Sequence, residues 1–129
     1  MRILLDSTVL IDYLRGRPVV PRVWALRQHG EVPCTTGVNV EEIVRGLRPR
    51  EVSAARALFD GLEILPVTAR DGWCAGSWRR EYAGQGTTLW QSDCLIAAVA
   101  ARVGARLATG NPKDFPMKEV DVEHWPVGQ

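Results

Sequence analysis

The sequence has few of the features that mark secreted, membrane-spanning or thiolate-metal proteins. Its three cysteines are odd in number and form no C-x-x-C pair, which favours reduced thiols in the cytoplasm over disulfides or a zinc site. The opening residues 1–5 are too short for a signal sequence, and no apolar run approaches membrane-spanning length. A net charge of +1 gives no broad basic field for non-specific duplex binding. We therefore expect a cytoplasmic protein with no membrane association.

Repeats, low-complexity segments and linkers are also lacking, so residues 1–129 are expected to form a single domain. Apolar residues make up 46% and charged residues 24%, as in ordinary globular proteins. Of the two histidines, His29 precedes a helix-ending glycine and His124 lies near the end of the sequence. Both are expected to be surface or structural residues, which argues against a histidine-based ribonuclease.

Short apolar runs alternate with longer helical patterns. The continuous run Ile3–Leu5 is typical of a central parallel strand that is buried on both faces. Further strands are predicted at 32–36, 62–66 and 105–109, and a fifth is suggested at 120–122. Strands separated by helices imply βαβ crossovers. The pattern predicts an α/β fold with a mostly parallel sheet of four to five strands flanked by helices.

The predicted helices cover residues 7–16, 20–29, 40–47, 53–62, 68–82 and 92–103. The first is expected to be capped by Ser7 or Thr8 and the last by Ser92. Trp73 and Trp78 stand five residues apart and so diverge by about 140° around a helix, which lets one face the core and the other a partner. The third helix is expected to have one apolar stripe that faces the core, and the residues of this stripe are Val40, Ile43, Val44 and Leu47.

Acidic or amide side chains stand where the predicted strands end and the helices begin. They are Asp6, Glu42, Asp93, Asn111 and Asp114. The carboxyl ends of parallel strands line one crevice, so we expect these side chains to converge. Converging carboxylates repel one another, which raises the pKa of at least one of them, and a divalent cation relieves the repulsion. The sequence therefore predicts a metal-dependent active site.

Each of these residues except Asp93, considered singly, also has a structural interpretation. Asp6 is suited to cap a helix. Glu42 is suited to be a solvated residue near a helix N-terminus, where the dipole favours it. Asn111 and Asp114 lie in a segment with the composition of a turn. The residues one by one leave these alternatives open.

Five segments of the sequence, taken together and in their order along the chain, resemble the PIN domain, particularly the VapC-type toxins of bacterial toxin–antitoxin modules. The matching segments span nearly the whole chain and are Leu4–Gly16 (LLDSTVLIDYLRG), Glu42–Gly46 (EIVRG), Asp93–Ala98 (DCLIAA), Leu107–Phe115 (LATGNPKDF) and Val122–Trp125 (VEHW). The resemblance implies a PIN-like fold of three layers. It also implies an Mg²⁺-dependent endoribonuclease, with Mn²⁺ as an alternative ion, that cleaves RNA phosphodiester bonds with a metal-activated water.

The resemblance assigns roles to the acidic residues. Asp6 and Asp93 match the principal metal-binding aspartates of the family, and Glu42 matches its glutamate, so these three are the expected catalytic and metal-binding residues. At the fourth position many members carry aspartate. This chain has Asn111 there, with Asp114 three residues later, and both are candidate ligands. An amide adds no negative charge, which leaves open whether one or two metals bind.

The implied partners are an RNA substrate, a cognate antitoxin and a second copy of the chain. Arg15 and Arg45 lie beside the acidic segments and are the predicted RNA contacts. One alternative is a haloacid-dehalogenase-like phosphatase, because Asp6 and the residues after it partly resemble that nucleophile motif, although Thr8 stands where the second aspartate belongs. Another alternative is a PIN-like binding module without catalytic activity.

Overall fold

The computed structural model describes residues 1–128 and is built on a five-stranded sheet. The spatial order is β3-β2-β1-β4-β5, and each neighbouring pair is parallel. The strands are β1 (Arg2–Leu5), β2 (Val32–Thr36), β3 (Glu63–Leu65), β4 (Arg106–Thr109) and β5 (Asp121–His124). The predicted strands, including the fifth, are therefore confirmed, with boundaries shifted by one or two residues.

Helices connect β1, β2, β3 and β4, as is usual for parallel strands, and a segment with a short 3-10 turn connects β4 to β5. The helices are α1 (Ser7–Leu14), α2 (Val19–Gln28), α3 (Gly37–Arg45), α4 (Val52–Asp60), α5 (Ala69–Gly84) and α6 (Gln91–Val103). Short 3-10 turns cover Pro49–Glu51 and Pro112–Asp114. Among residues 1–128, none of the helices is long and apolar enough to cross a membrane.

The sheet is covered on both faces and therefore has two apolar cores. Successive side chains of β1 point to opposite faces: Ile3 and Leu5 pack in the core formed with α1, α2 and α4, whereas Leu4 packs in the core formed with α5 and α6. This accounts for the continuous apolar run in the sequence, because a central strand buried on both faces has no polar side. The predicted three-layer α/β fold is confirmed.

The two tryptophans of α5 diverge as the spacing predicts. Trp78 is 6% exposed and belongs to the core with α6, whereas Trp73 is 83% exposed. Thr68 caps this helix, as expected, through a reciprocal pair of hydrogen bonds with Asp71.

The predicted core stripe of α3 is confirmed only in part: Leu47, which follows the helix, packs partly buried against the same core as Ile43. Ile43 is buried, but Val44 is 53% exposed. Together with Val40 and Leu47 it lines an apolar groove between α3 and α4. Helical spacing identifies residues that share a face, but the packing of neighbouring helices decides whether that face is covered.

Two predicted helix caps are also wrong. The N-cap positions of α1 and α6 are occupied by Asp6 and Trp90, and neither side chain makes the capping hydrogen bond to its helix. Ser92 lies inside the first turn of α6. Ser7 and Thr8 lie in the first turn of α1, where their hydroxyls bond to other side chains across the site described below.

Candidate active site

The acidic side chains meet at the carboxyl ends of β1 and β4. The chain moves outward from β1 to β2 and β3 on one side, then crosses to β4 and β5 on the other. In open parallel sheets the crevice at such a switch in direction is the usual ligand site. Asp6 directly follows β1, and its N–H donates to the carbonyl of Ala108 in β4 at 2.9 Å. Asp6 therefore lies in this crevice.

Hydroxyl groups hold the carboxylate of Asp6. Its Oδ2 accepts hydrogen bonds from Thr109 Oγ1 at 2.8 Å and from Thr8 Oγ1 at 3.1 Å. Thr8 Oγ1 in turn accepts from the Gly110 N–H at 2.9 Å. The side chain is 5% exposed and does not bond to the second or third N–H of α1. Asp6 stands at the N-cap position, but its carboxylate is directed to β4.

A second hydrogen-bond chain reaches Glu42 on α3. Ser7 Oγ donates to Glu42 Oε1 at 2.8 Å, and Asn39 Nδ2 donates to Ser7 Oγ at 3.0 Å. Asn39 is buried, and its Oδ1 accepts from the hydroxyl of Thr36 at 2.7 Å. Glu42 is half-buried and bonded to α1. The interpretation of Glu42 as a merely solvated helix residue is therefore wrong.

Asp93, the third residue of α6, shows that the carboxylates converge. Burial raises its pKa to about 7, and the nearby charges of Asp6, Asp114 and Glu42 add to the rise. The pKa of Asp6 is also raised, chiefly by burial, although its hydrogen bonds to Thr109 and Thr8 oppose the rise. At least one carboxyl therefore has a raised pKa, as predicted, but burial and not charge repulsion is the larger cause.

The two candidates for the fourth position occupy different places. Asp114 ends the short 3-10 turn and is close enough to Asp93 to raise its pKa. Asn111 is exposed at the start of that turn, and its N–H donates to Thr109 Oγ1 at 3.0 Å. Asp114 therefore adds negative charge to the acidic cluster formed by Asp6, Glu42, Asp93 and Asp114, whereas Asn111 connects the turn to β4.

The donors in this acidic cluster are carboxylate oxygens. Among residues 1–128, no three His, Cys, Asp or Glu side chains form a group tight enough to hold an ion as they stand. Mg²⁺ commonly uses only one or two protein carboxylates and keeps several waters, so a loose set of oxygen donors suits it. Zinc, by contrast, favours nitrogen and sulfur ligands. The chemistry of the donors fits an oxygen-preferring cation.

The two arginines predicted to contact RNA stand at the C-terminal ends of α1 and α3. Arg15 is exposed at the C-terminal end of α1, nine residues after Asp6 and so roughly 13 Å along the helix from it. Arg45 ends α3 and lies 3.9 Å from Glu41 in an exposed ion pair. Their role in RNA binding stays a prediction.

Sequence reasoning missed the residues that position the carboxylates, namely Ser7, Thr8, Asn39 and Thr109. Ser7 and Thr8 directly follow Asp6, and Asn39 precedes Glu42 by three residues. Asn39 and Thr109 are fully buried, and buried polar groups almost always have hydrogen-bond partners. Burial of this kind is not visible in the sequence, and adjacency to an acidic residue was the available signal.

Comparison with known proteins identifies the family. Residues 3–122 match the family model described as PIN domain. The chain belongs to the PIN-domain family. This PIN-domain protein is 33% identical over 115 residues to Ribonuclease VapC19 of Mycobacterium tuberculosis, covering 88% of this chain and 92% of the relative. It is 34% identical over 118 residues to Ribonuclease VapC10 of the same species, covering 91% and 88%. The expected resemblance to VapC-type proteins is confirmed.

The fold of the PIN-domain protein also has solved counterparts. The crystal structure of VapBC2 from Rickettsia felis, bound to a DNA fragment from their promoter, aligns with a TM-score of 0.85 over 97% of this chain and 99% of that chain, at 20% identity. Because the identity is only 20%, this structural similarity shows that the two proteins share a fold and no more. The family match leaves the haloacid-dehalogenase alternative without support.

Proposed function

We propose that this protein is an Mg²⁺-dependent endoribonuclease and the toxin of a cytoplasmic toxin–antitoxin module. The observation that carries the proposal is the convergence of Asp6, Glu42, Asp93 and Asp114 at the switch between β1 and β4, close enough for three of them to raise the pKa of Asp93. Two relatives that share about a third of their aligned residues with this chain are named ribonucleases, which supports RNA as the substrate.

Metal binding is assigned to the carboxylates. Asp6 and Asp93 are the main ligands, Glu42 assists them, and Asp114 or Asn111 completes the set. A bound Mg²⁺ or Mn²⁺ would offset charge that develops on the scissile phosphate and lower the pKa of a bound water. The raised pKa of Asp93 supports this assignment, because a cation favours the ionised form of a carboxyl that the protein alone disfavours.

The surrounding polar residues keep the donors in position before substrate arrives. Thr109 holds Asp6, and Ser7, supported by buried Asn39, holds Glu42. Groups that are already oriented need little reorganisation during the reaction, which is the main way an active site lowers a barrier electrostatically. Arg15 and Arg45 remain the proposed contacts to the RNA backbone.

The partners are proposed to be a second copy of the chain and a cognate antitoxin that covers each active site. Trp73 supports a protein interface, because a tryptophan that is 83% exposed on α5 offers a large apolar contact. A basic side chain of the antitoxin would suit the acidic cluster and compete with the cation there.

The test uses the full chain, labelled total RNA and Mg²⁺, with EDTA as the metal-free control. Asp6→Asn and Asp93→Asn should each abolish cleavage while the fold, checked by circular dichroism, is kept. Asp60→Asn, at the exposed end of α4, is the matched control and should cleave RNA like the parent. Cleavage by Asp6→Asn or Asp93→Asn at the parental rate would show that the site is wrongly assigned.

The cleavage assay, a growth assay and sedimentation together separate the remaining alternatives. A folded parent that leaves RNA intact in both Mg²⁺ and Mn²⁺ would favour the non-catalytic binding module. Growth arrest on expression, relieved by the product of a neighbouring gene, would support the toxin. A strict monomer in sedimentation that no neighbouring gene product binds would refute the dimer and the antitoxin, and would leave the nuclease proposal standing.

A further inference from the structure

A small groove opens beside the acidic cluster, between the end of α5 and the turn at Pro112–Asp114. Its volume is about 250 Å³, and Trp90, Lys113 and Asp114 are among the residues that line it. Asp114 also belongs to the acidic cluster, where its charge acts on Asp93. The groove, called here the Trp90 groove, is therefore continuous with the candidate active site.

Trp90 is placed where the fold has no need for it. It occupies the N-cap position of α6, where Ser, Thr, Asp and Asn are preferred because their side chains bond to the first turn. Trp90 supplies no such bond and is 68% exposed, so its ring is left largely in water. The indole ring is therefore free to contact a ligand.

Hydrogen bonds fix the walls of the Trp90 groove. Arg79 Nε donates to the carbonyl of Leu89 at 3.2 Å and so holds the residue before Trp90. Tyr82 Oη donates to the carbonyl of Pro116 at 3.2 Å and ties α5 to the segment after the turn. A groove with fixed walls loses little conformational freedom when a ligand binds.

The size and chemistry of the Trp90 groove suit one nucleobase. Its volume of about 250 Å³ lies below the range of pockets for drug-sized ligands, roughly 300–1,000 Å³. The exposed indole offers a flat surface, and bases of single-stranded nucleic acids stack on such surfaces. Lys113 provides a point charge for a phosphate and is exposed beside Asp114. The other exposed tryptophans, Trp24 and Trp73, lie on α2 and α5.

We propose that the Trp90 groove is an RNA subsite, in which Trp90 stacks on one unpaired base next to the scissile phosphate and Lys113 contacts an adjacent phosphate. This inference rests on the proposed ribonuclease function and adds to it a contact that selects single-stranded RNA. Unpaired bases are the parts of RNA that proteins most often recognise in this way.

The first test measures binding of a fluorescein-labelled RNA decamer of random sequence by fluorescence anisotropy, in Mg²⁺ and in the Asp93→Asn background to prevent cleavage. Trp90→Ala should weaken binding about fivefold to a hundredfold, which is the range for loss of one stacked base. Trp90→Phe should keep most of the affinity because it retains an aromatic face. Trp24→Ala removes an equally exposed tryptophan from α2 and should leave the affinity unchanged.

Two further readouts separate RNA binding from a structural role. Lys113→Gln should reduce the slope of log K against log[salt] by about 0.7, the value for one phosphate contact on a single strand. In the active protein, Trp90→Ala should raise KM for the same RNA and leave kcat little changed, because the ring binds substrate away from the reacting atoms.

The outcomes distinguish this inference from the proposed function. If the parent binds and cleaves RNA and Trp90→Ala does so equally well, the subsite is refuted while the ribonuclease stands. If Trp90→Ala keeps RNA affinity but loses a protein partner, the groove is a protein-docking surface and the RNA subsite is again refuted. A parent that neither binds nor cleaves RNA refutes both proposals.

Discussion

Replacement of Asp93 by asparagine should stabilise the metal-free protein, and the gain should depend on pH. The pKa of Asp93 rises from its ordinary value of 3.8 to about 7 in the folded chain, because burial and the charges of Asp6, Asp114 and Glu42 disfavour the ionised form. Between these two values the folded protein keeps a proton that the unfolded chain releases. Stability therefore falls as pH rises from about 4 to about 7. Asparagine cannot ionise and avoids this loss.

The size of the effect follows from the two pKa values. A rise from 3.8 to about 7 corresponds to at most about 4 kcal/mol of unfolding free energy at pH 8. Asp93 is only half-buried, so solvent screens part of this, and we expect about 1–2 kcal/mol. For a chain of this length that is a rise in melting temperature of about 4–8 °C. At pH 5 only a little over a third of the interval from 3.8 to about 7 has been crossed, so the gain should be about a third as large as at pH 8.

The assay is thermal unfolding by circular dichroism in EDTA at pH 5 and pH 8, for the parent, Asp93→Asn and Asp60→Asn. The control removes an exposed carboxylate from the end of α4 and should leave the difference between the two pH values as in the parent. Millimolar Mg²⁺ should stabilise the parent at pH 8, because an ion that binds only the folded state favours it, and should stabilise Asp93→Asn much less.

Two results would refute the electrostatic reasoning. One is equal melting temperatures of the parent and Asp93→Asn at pH 8 in EDTA. The other is a gain in Asp93→Asn that is the same at pH 5 and pH 8, which would indicate better packing or helix propensity instead of relieved charge repulsion.

Two further substitutions test the packing around the site. Thr109→Val should lower the free energy of unfolding in urea by about 1–2 kcal/mol, because buried Asp6 loses a hydrogen bond of 2.8 Å. Thr109→Ser keeps the hydroxyl and should lower this free energy by less. Equal losses in the two variants would contradict the role of the hydrogen bond. Gly110→Ala should lower the free energy of unfolding by about 1–3 kcal/mol, because the new methyl group would lie 2.6 Å from Val127 Cγ2. Adding Val127→Ala should recover much of that loss, and a purely additive double variant would show that the contact is not the cause.

The sequence by itself was enough for the fold class and for the position of Asp6 and Asp93 at the ends of its elements. The strand Ile3–Leu5 is continuous and apolar because it is buried on both faces, and that burial leaves a direct trace in residue type. Asp6 and Asp93 stand at the ends of such elements, where a parallel sheet opens its crevice. Local pattern and order along the chain suffice for inferences of this kind, and the resemblance to the PIN domain followed from the same residues.

The tertiary structure alone decided which side chains meet. The hydrogen bond from Thr109 to Asp6 joins residues 103 positions apart, and the effect of Asp114 on Asp93 depends on where the turn after β4 lies. The pKa of Asp93 and the exposure of Val44 depend likewise on packing between distant segments. Helical and strand periods report only neighbours within about four residues, so contacts set by strand order and helix packing have no local signature.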